Sequence, residues 1–158
     1  MVDWLRVRRA ENTARMIQKA KERLSARHVE TPEPATLSLT LPILVAAADE
    51  SRDELQDLWA RLLAAAADPA RAGDFRLAFI DAVKRMDPLD AAVLSCMPAR
   101  GGRIGGSDLN AVAEELHISR DQLDVSRDNL RKLELLMGDV TISSLTAFGR
   151  EFLRAVSD

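Results

Sequence analysis

Five carboxylates crowd into one short stretch at Asp49, Glu50, Asp53, Glu54 and Asp57, and the i, i+4 pairs among them would share a face if the stretch is helical. Such a face carries the donor type that a divalent cation takes and the paired carboxyl groups that acid and base catalysis uses. A simpler cause is electrostatic, because carboxylates at a helix N-terminus are favoured by the unpaired amides and the helix dipole. No histidine stands near them and no second helix is as dense in acid. The expectation is therefore a solvated helix start, and an enzyme using these carboxylates with a divalent ion ranks third among the functions considered. Cys96 is the single cysteine; it falls on an apolar stripe with no basic neighbour in sequence to favour the thiolate, and so reads as a core thiol. His28 and His117 lie in a linker and a turn and form no i, i+4 metal pair. The stretch GGRIGG, residues 101–106, lacks the Lys-Ser/Thr of a phosphate loop and follows no parallel strand, which makes it a connection. No catalytic, cofactor-binding or metal-binding residue is expected, and the chain is not expected to be an enzyme.

Charge distribution is more informative. Arg6, Arg8, Arg9, Arg15, Lys19, Lys21, Arg23 and Arg27 face only Asp3, Glu11 and Glu22 in the first segment, although the whole chain has a net charge of −3. That segment lacks Pro and Gly and spaces Val7, Ala10, Ala14, Ile17, Lys21 and Leu24 by threes and fours, the mark of a helix with a narrow apolar seam. Trp4 lies outside the seam, and Arg8, Arg15, Lys19 and Arg23 lie on the polar side. These five, Trp4, Arg8, Arg15, Lys19 and Arg23, are the candidate residues for binding a protein partner or a second copy. Docking within the chain is the ordinary use of such a helix. The segment HVETPEP, residues 28–34, sets it apart with two prolines, so removing residues 1–28 is expected to leave a folded protein that has lost association.

The elements that must position these residues follow from caps and stripes. Thr40 is expected to cap a short helix with Leu41 and Pro42 in its first turn, and Ser51 with Glu54 has the form of a capping box. Leu55, Leu58, Trp59, Leu62, Leu63 and Ala66 form the best amphipathic stripe; Trp59, Leu62 and Leu63 are expected to be buried with Phe79 and Val93. Gly73-Asp74 opens a helix with Phe75, Phe79, Ile80, Val83 and Met86 on one face. Asp87-Pro88 starts another, with Leu89, Ala92, Val93, Cys96 and Met97 apolar. A strand at Arg103-Ile104, a helix capped by Ser107, a turn at His117, a helix from a Ser119/Gln122 capping box, a hairpin about Gly138-Asp139 and a last helix capped by Thr146 complete the chain.

With Ala, Leu, Arg, Asp and Glu dominant and Tyr absent, the fold class is all-α: an N-terminal helical part and a C-terminal winged-helix-like unit with a minimal β-hairpin. The expected divisions are a basic N-terminal helix at 1–28, a helical core part at 35–86 and the winged-helix-like part at 87–158. A winged helix serves protein contacts as well as DNA. Here residues 101–158 are net acidic, and Asp121, Asp124 and Asp128 on the would-be recognition helix would meet phosphates, so nucleic acid is disfavoured as a partner. No apolar run has the length of a signal peptide or membrane span, which leaves the cytoplasm and no membrane partner as the expectation.

Several stretches match a known pattern together: RAENTARMI at 9–17, LPILVAAADESRDELQDLWARLLAAA at 41–66, DFRLAFI at 74–80 and MDPLDAAVL at 86–94. The chain resembles the Abi-alpha family of bacterial abortive infection, with Trp-Ala-x-Leu-Leu and x-x-Pro-x-Asp-Ala as the distinctive pieces and SLTAFG at 144–149 as a further one. The resemblance implies a role in bacterial phage defence, with no catalytic residue and no cofactor to carry over. The first-ranked function is thus a non-enzymatic protein-interaction module in phage defence; the alternative is a winged-helix DNA-binding transcriptional regulator.

Overall fold

In the computed structural model, residues 2–32 and 37–158 are described. Eight helices and three short strands are found among them: α1 (Val2–Ala26), α2 (Leu37–Ala48), α3 (Asp53–Ala67), α4 (Leu77–Lys84), α5 (Pro88–Ser95), β1 (Arg103–Gly105), α6 (Asp108–Glu115), α7 (Arg120–Lys132), β2 (Leu136–Gly138), β3 (Ile142–Leu145) and α8 (Ala147–Val156). The mostly helical class is as the composition requires. The contacts divide the chain into one unit made of Met1–Lys84 with Ala155–Asp158 and another made of Arg85–Arg154. Glu33 and Pro34 of the proline linker, and Ala35, where the second expected part begins, lie outside the described residues.

The first unit is an all-helical packing of α1 against α2 and α3, with α4 on α2 and α3. Leu55, Trp59, Leu62, Phe79 and Ile80 are buried as their stripes demand, whereas Leu63, expected inside, is half-buried. Val93 is also buried but belongs to the second unit. The seam read on α1 holds at Leu24 and is otherwise displaced: the inward residues are Asn12, Met16, Ala20 and Leu24, while Val7, Ala10 and Ala14 face solvent. Counting alanines as apolar favoured the wrong face. The face actually used contains a buried asparagine, whose Nδ2 donates to the Ala48 carbonyl at 3.0 Å and so satisfies an orphan acceptor at the end of α2. Gln56, also buried, donates to the carbonyls of Asn12 (3.2 Å) and Glu50 (2.6 Å), locking the α2–α3 turn to α1.

Three local expectations are corrected. Helix α2 begins at Leu37, not at a Thr40 cap, so Pro42 lies inside it and removes one backbone donor that a shorter helix would not have needed. The Ser51/Glu54 box does not form; α3 starts after Arg52, and the Glu50 carboxylate takes the Arg52 N–H at 2.9 Å instead. Gly73-Asp74 belongs to a short 3-10 turn at Ala72–Asp74, so Phe75 precedes α4.

In the second unit Asp87 and Asp90 form a capping box at α5 with Pro88 at its first position, and Ser119 and Gln122 form another at α7. The hairpin β2–β3 gains β1 as a third strand, giving an antiparallel sheet in the order β1-β3-β2 with Ile104 opposite Ser143 and Leu136 opposite Leu145. Gly149 of α8 lies where a Cβ would stand 2.1 Å from the Leu135 carbonyl oxygen, so this close helix-to-chain approach needs glycine. Thr146 caps α8, its Oγ1 accepting the Gly149 N–H at 2.9 Å.

Candidate interaction surface

The basic helix and the acidic cluster are each other's counterparts. Arg9 pairs with Asp49 (3.0 Å), Arg15 with Asp53 (3.7 Å), Arg23 with Asp57 (2.6 Å) and Arg27 with Asp68 (3.9 Å), a ladder running from α1 to the end of α2, along α3 and just beyond it. Arg61 shares Asp57 at 2.8 Å and reaches Asp158 at 3.1 Å, and Arg23 also pairs with Asp158. Burial alone would push the Asp57 carboxyl up, but hydrogen bonds from Arg61 and Arg23 outweigh it and hold the group below the usual carboxylate range. Glu50 is occupied by Arg52 at 2.9 Å. The cluster read as a candidate metal or acid–base site thus largely serves as counter-charge, and no group of three or more potential metal ligands exists among the described residues.

The five candidate partner residues separate into two groups. Arg15 and Arg23 are engaged in the ladder, and Lys19 lines a pocket with Arg23 and Arg27. Trp4 and Arg8 stand apart. Every residue from Val2 to Glu11 is exposed, with Val2 at 63%, Trp4 at 62%, Leu5 at 52% and Val7 at 56%. Arg8 lies over the Trp4 ring, its guanidinium carbon 5.5 Å from the ring centroid, a cation–π pair one helical turn apart. Val2 and Leu5 also fall, by the 3.6-residue period, on the same side as Asn12, Met16 and Ala20, so the inward face of α1 continues past the last residue it buries.

Helix α7, the would-be recognition helix, spends its arginines internally. Arg127 is fully buried and donates to Ser143 Oγ (2.9 Å), Asp124 (2.6 Å) and the Val140 and Asp139 carbonyls (3.2 and 3.0 Å), tying α7 to the hairpin. Arg131 binds the Asp139 carbonyl and Asp128, and Arg120 binds Asn110 and lies near Asp124. The buried Asp90 accepts from Ser126 (2.7 Å), Asn129 (2.7 Å) and its own capping amide (2.8 Å), joining α5 to α7. Neither Arg127 nor Asp90 stood out in the sequence; an arginine opposite a serine-bearing strand gives no periodic signal.

The remaining candidates behave as packing residues. Cys96 is buried; burial, together with the nearby Glu115 carboxylate, raises its thiol above the ordinary value and disfavours the thiolate. His28 and His117 end α1 and α6 with left-handed backbones, φ 58° and 54°, and close the chain with bonds from Val29 N to the Leu24 carbonyl and from Ile118 N to the Ala113 carbonyl.

Residues 8–140 match the model of the family described as abortive infection alpha. The chain belongs to the abortive infection alpha family. No curated protein and no solved structure matches the chain. The abortive infection alpha match extends well beyond residue 94, where the main block of sequence resemblance ends, and stops before SLTAFG, so β3 and α8 lie outside it. Its Trp-Ala-x-Leu-Leu piece is the buried centre of α3, and its x-x-Pro-x-Asp-Ala piece is the α5 capping box with the buried Asp90. The family's name ties the chain to abortive infection, a phage-defence response, and no helix among the described residues is long and apolar enough to cross a membrane.

Proposed function

We propose that this abortive infection alpha protein acts in the cytoplasm as a non-enzymatic interaction module, and that the first turns of α1 are its contact with a protein partner. The observation that carries this reading is the exposed run from Val2 to Glu11, where four large apolar side chains and the Trp4–Arg8 stack cover nothing in the first unit. Trp and Arg are the side chains that dominate binding energy at interfaces, and clustered exposed apolar residues on a monomer mark contact sites. The engagement of Asp49, Asp53 and Asp57 by arginines supports a non-catalytic reading of the acidic cluster. Affinity capture from infected and uninfected cells, with the full chain and with Trp4→Ala/Leu5→Ala, tests the proposal: the doubly substituted chain should fold normally and lose its partner. Equal capture by both chains refutes it.

A second reading, a winged-helix DNA-binding regulator, is favoured by one observation. The order α5, β1, α6, α7, β2, β3, α8 with a three-stranded antiparallel sheet is the order of a winged helix-turn-helix. Against it stands the internal use of Arg120, Arg127 and Arg131, which leaves Asp121 and Val125 exposed on α7. Duplex affinity that is micromolar or tighter, and that falls steeply with salt in fluorescence anisotropy, would put this reading first.

A further inference from the structure

Four guanidinium groups, those of Arg23, Arg27, Arg61 and Arg71, meet at the residues that end the described chain, and three aspartates, Asp57, Asp68 and Asp158, stand among them. The shortfall falls on Arg27. Its closest carboxylate oxygen, Asp68 Oδ2, is 3.9 Å away and is shared with Arg71 at 3.8 Å. Among the described residues its one hydrogen bond runs from Nη2 to the Ser157 carbonyl at 2.6 Å, while Nε and Nη1 are buried with no acceptor there. Arg71 donates to that same Ser157 carbonyl at 2.7 Å. Two cations thus converge on one neutral oxygen, an arrangement in which an oxyanion would bind both more strongly than the carbonyl does. Buried charged donors without acceptors are costly, and Arg fits oxyanions in particular because its planar donors match their oxygens. In keeping with this, burial, with Arg71 beside it, pulls the Arg27 guanidinium below its usual value.

The same arginine lines an open pocket of about 500 Å³ together with Lys19, Glu22, Arg23, Asp57 and Asp158, and Arg71 lies outside that lining. We propose that the position taken by the Ser157 carbonyl, between Arg27 and Arg71 and beside this pocket, is a binding site for a small oxyanion of the phosphate or carboxylate class, with Lys19 at the pocket's rim. Ser157 and Asp158 form a strap over the same guanidinium groups, so the ligand competes with the strap, and Asp158 weakens binding by repulsion. The site is independent of the exposed turns of α1: it uses neither Trp4 nor Arg8.

Binding is read by thermal unfolding and isothermal titration of the full chain with sodium phosphate, sodium pyrophosphate and sodium acetate, each against sodium chloride at equal ionic strength. The expected result is a rise in Tm with at least one oxyanion beyond the chloride control; pyrophosphate or phosphate acting alone identifies a phosphoryl ligand, and acetate acting alone a carboxylate. Arg27→Met should weaken the effective anion about tenfold or more, and Asp158→Asn should tighten it. If Arg27→Met does not fold by circular dichroism, Lys19→Met and Arg71→Met replace it with the same expected sign. No oxyanion effect, an effect unchanged by these substitutions, or weaker binding in Asp158→Asn overturns the site.

Discussion

Removing residues 2–8 should separate presentation from packing in α1. All seven residues are exposed, and their ring contact, Arg8 on Trp4, lies within the removed segment. The first bond from α1 to the rest of its unit is the Arg9–Asp49 pair, both partners more than half exposed, and fraying it costs about 0.2–1 kcal/mol. The shortened chain should therefore lose less than about 1 kcal/mol of stability. Met16, only two turns farther along, is fully buried, and Met16→Ala should cost about 2–5 kcal/mol. Removal of residues 1–28 takes away Asn12, Met16, Ala20 and Leu24 together and should unfold the first unit, contrary to the expectation drawn from the sequence. Urea unfolding followed by circular dichroism measures all three variants, and light scattering with affinity capture follows association. If removing residues 2–8 costs as much as Met16→Ala, the first turns are part of the core; if it leaves association and capture intact, they are not the contact.

Other perturbations test the second unit and the charge ladder. Arg127→Met leaves the buried Ser143 hydroxyl and the Val140 carbonyl without their Arg127 donor, and the Asp139 carbonyl with Arg131 alone, and should cost about 3 kcal/mol in urea unfolding, with no change in duplex DNA affinity by anisotropy. Gly149→Ala drives a methyl into the Leu135 carbonyl and should cost about 1–3 kcal/mol, seen as a lowered urea midpoint. Asp57 and Asp158 are both held below their ordinary values when folded, so the unfolded chain takes up their protons first as pH falls. Their stabilisation should be complete above about pH 4 and disappear as pH drops through the folded values, and Asp57→Asn should flatten that part of the pH profile of the urea midpoint.

What the sequence revealed was mostly local. The Asp87-Pro88 helix start, the Ser119 capping box, the α3 stripe and the Gly138 hairpin depend on residues within one or two turns of one another, and each is present. Cross-chain pairing was not legible: the five carboxylates around Asp53 looked like a solvated helix start, and the eight basic residues from Arg6 to Arg27 looked like a surface for a partner. Three members of each set pair with the other, across some forty positions of sequence. Arg127 was hidden for the same reason, since its acceptors lie on the hairpin that follows its own helix. The α1 seam failed differently. A period of 3.6 residues admits two neighbouring faces on a helix rich in alanine, and a polar Asn12 that satisfies the end of α2 decided between them.

The ladder also explains how bare helical turns can stand ready for a partner. A helix of ten residues alone in water is marginal, because its first hydrogen-bonded turn fixes several dihedrals for a single bond. Residues 12–26 of α1 meet that nucleation cost through Met16, Ala20 and Leu24 in the core and through Arg15 and Arg23 on α3. Extending an existing helix toward Val2 then adds one bond per ordered residue, and the Arg8–Trp4 stack holds the two side chains one turn apart in a fixed geometry. A partner that binds there gains apolar area from Val2, Leu5 and Trp4 without having to order the helix that presents them, which lowers the entropic cost of association. A helix-breaking change at an exposed position separates this from simple side-chain loss. Ala10→Gly should weaken partner capture while leaving Trp4 and Leu5 in place and the core stability within about 1 kcal/mol, and unchanged capture would show that the helical form of the first turns is not what the partner reads.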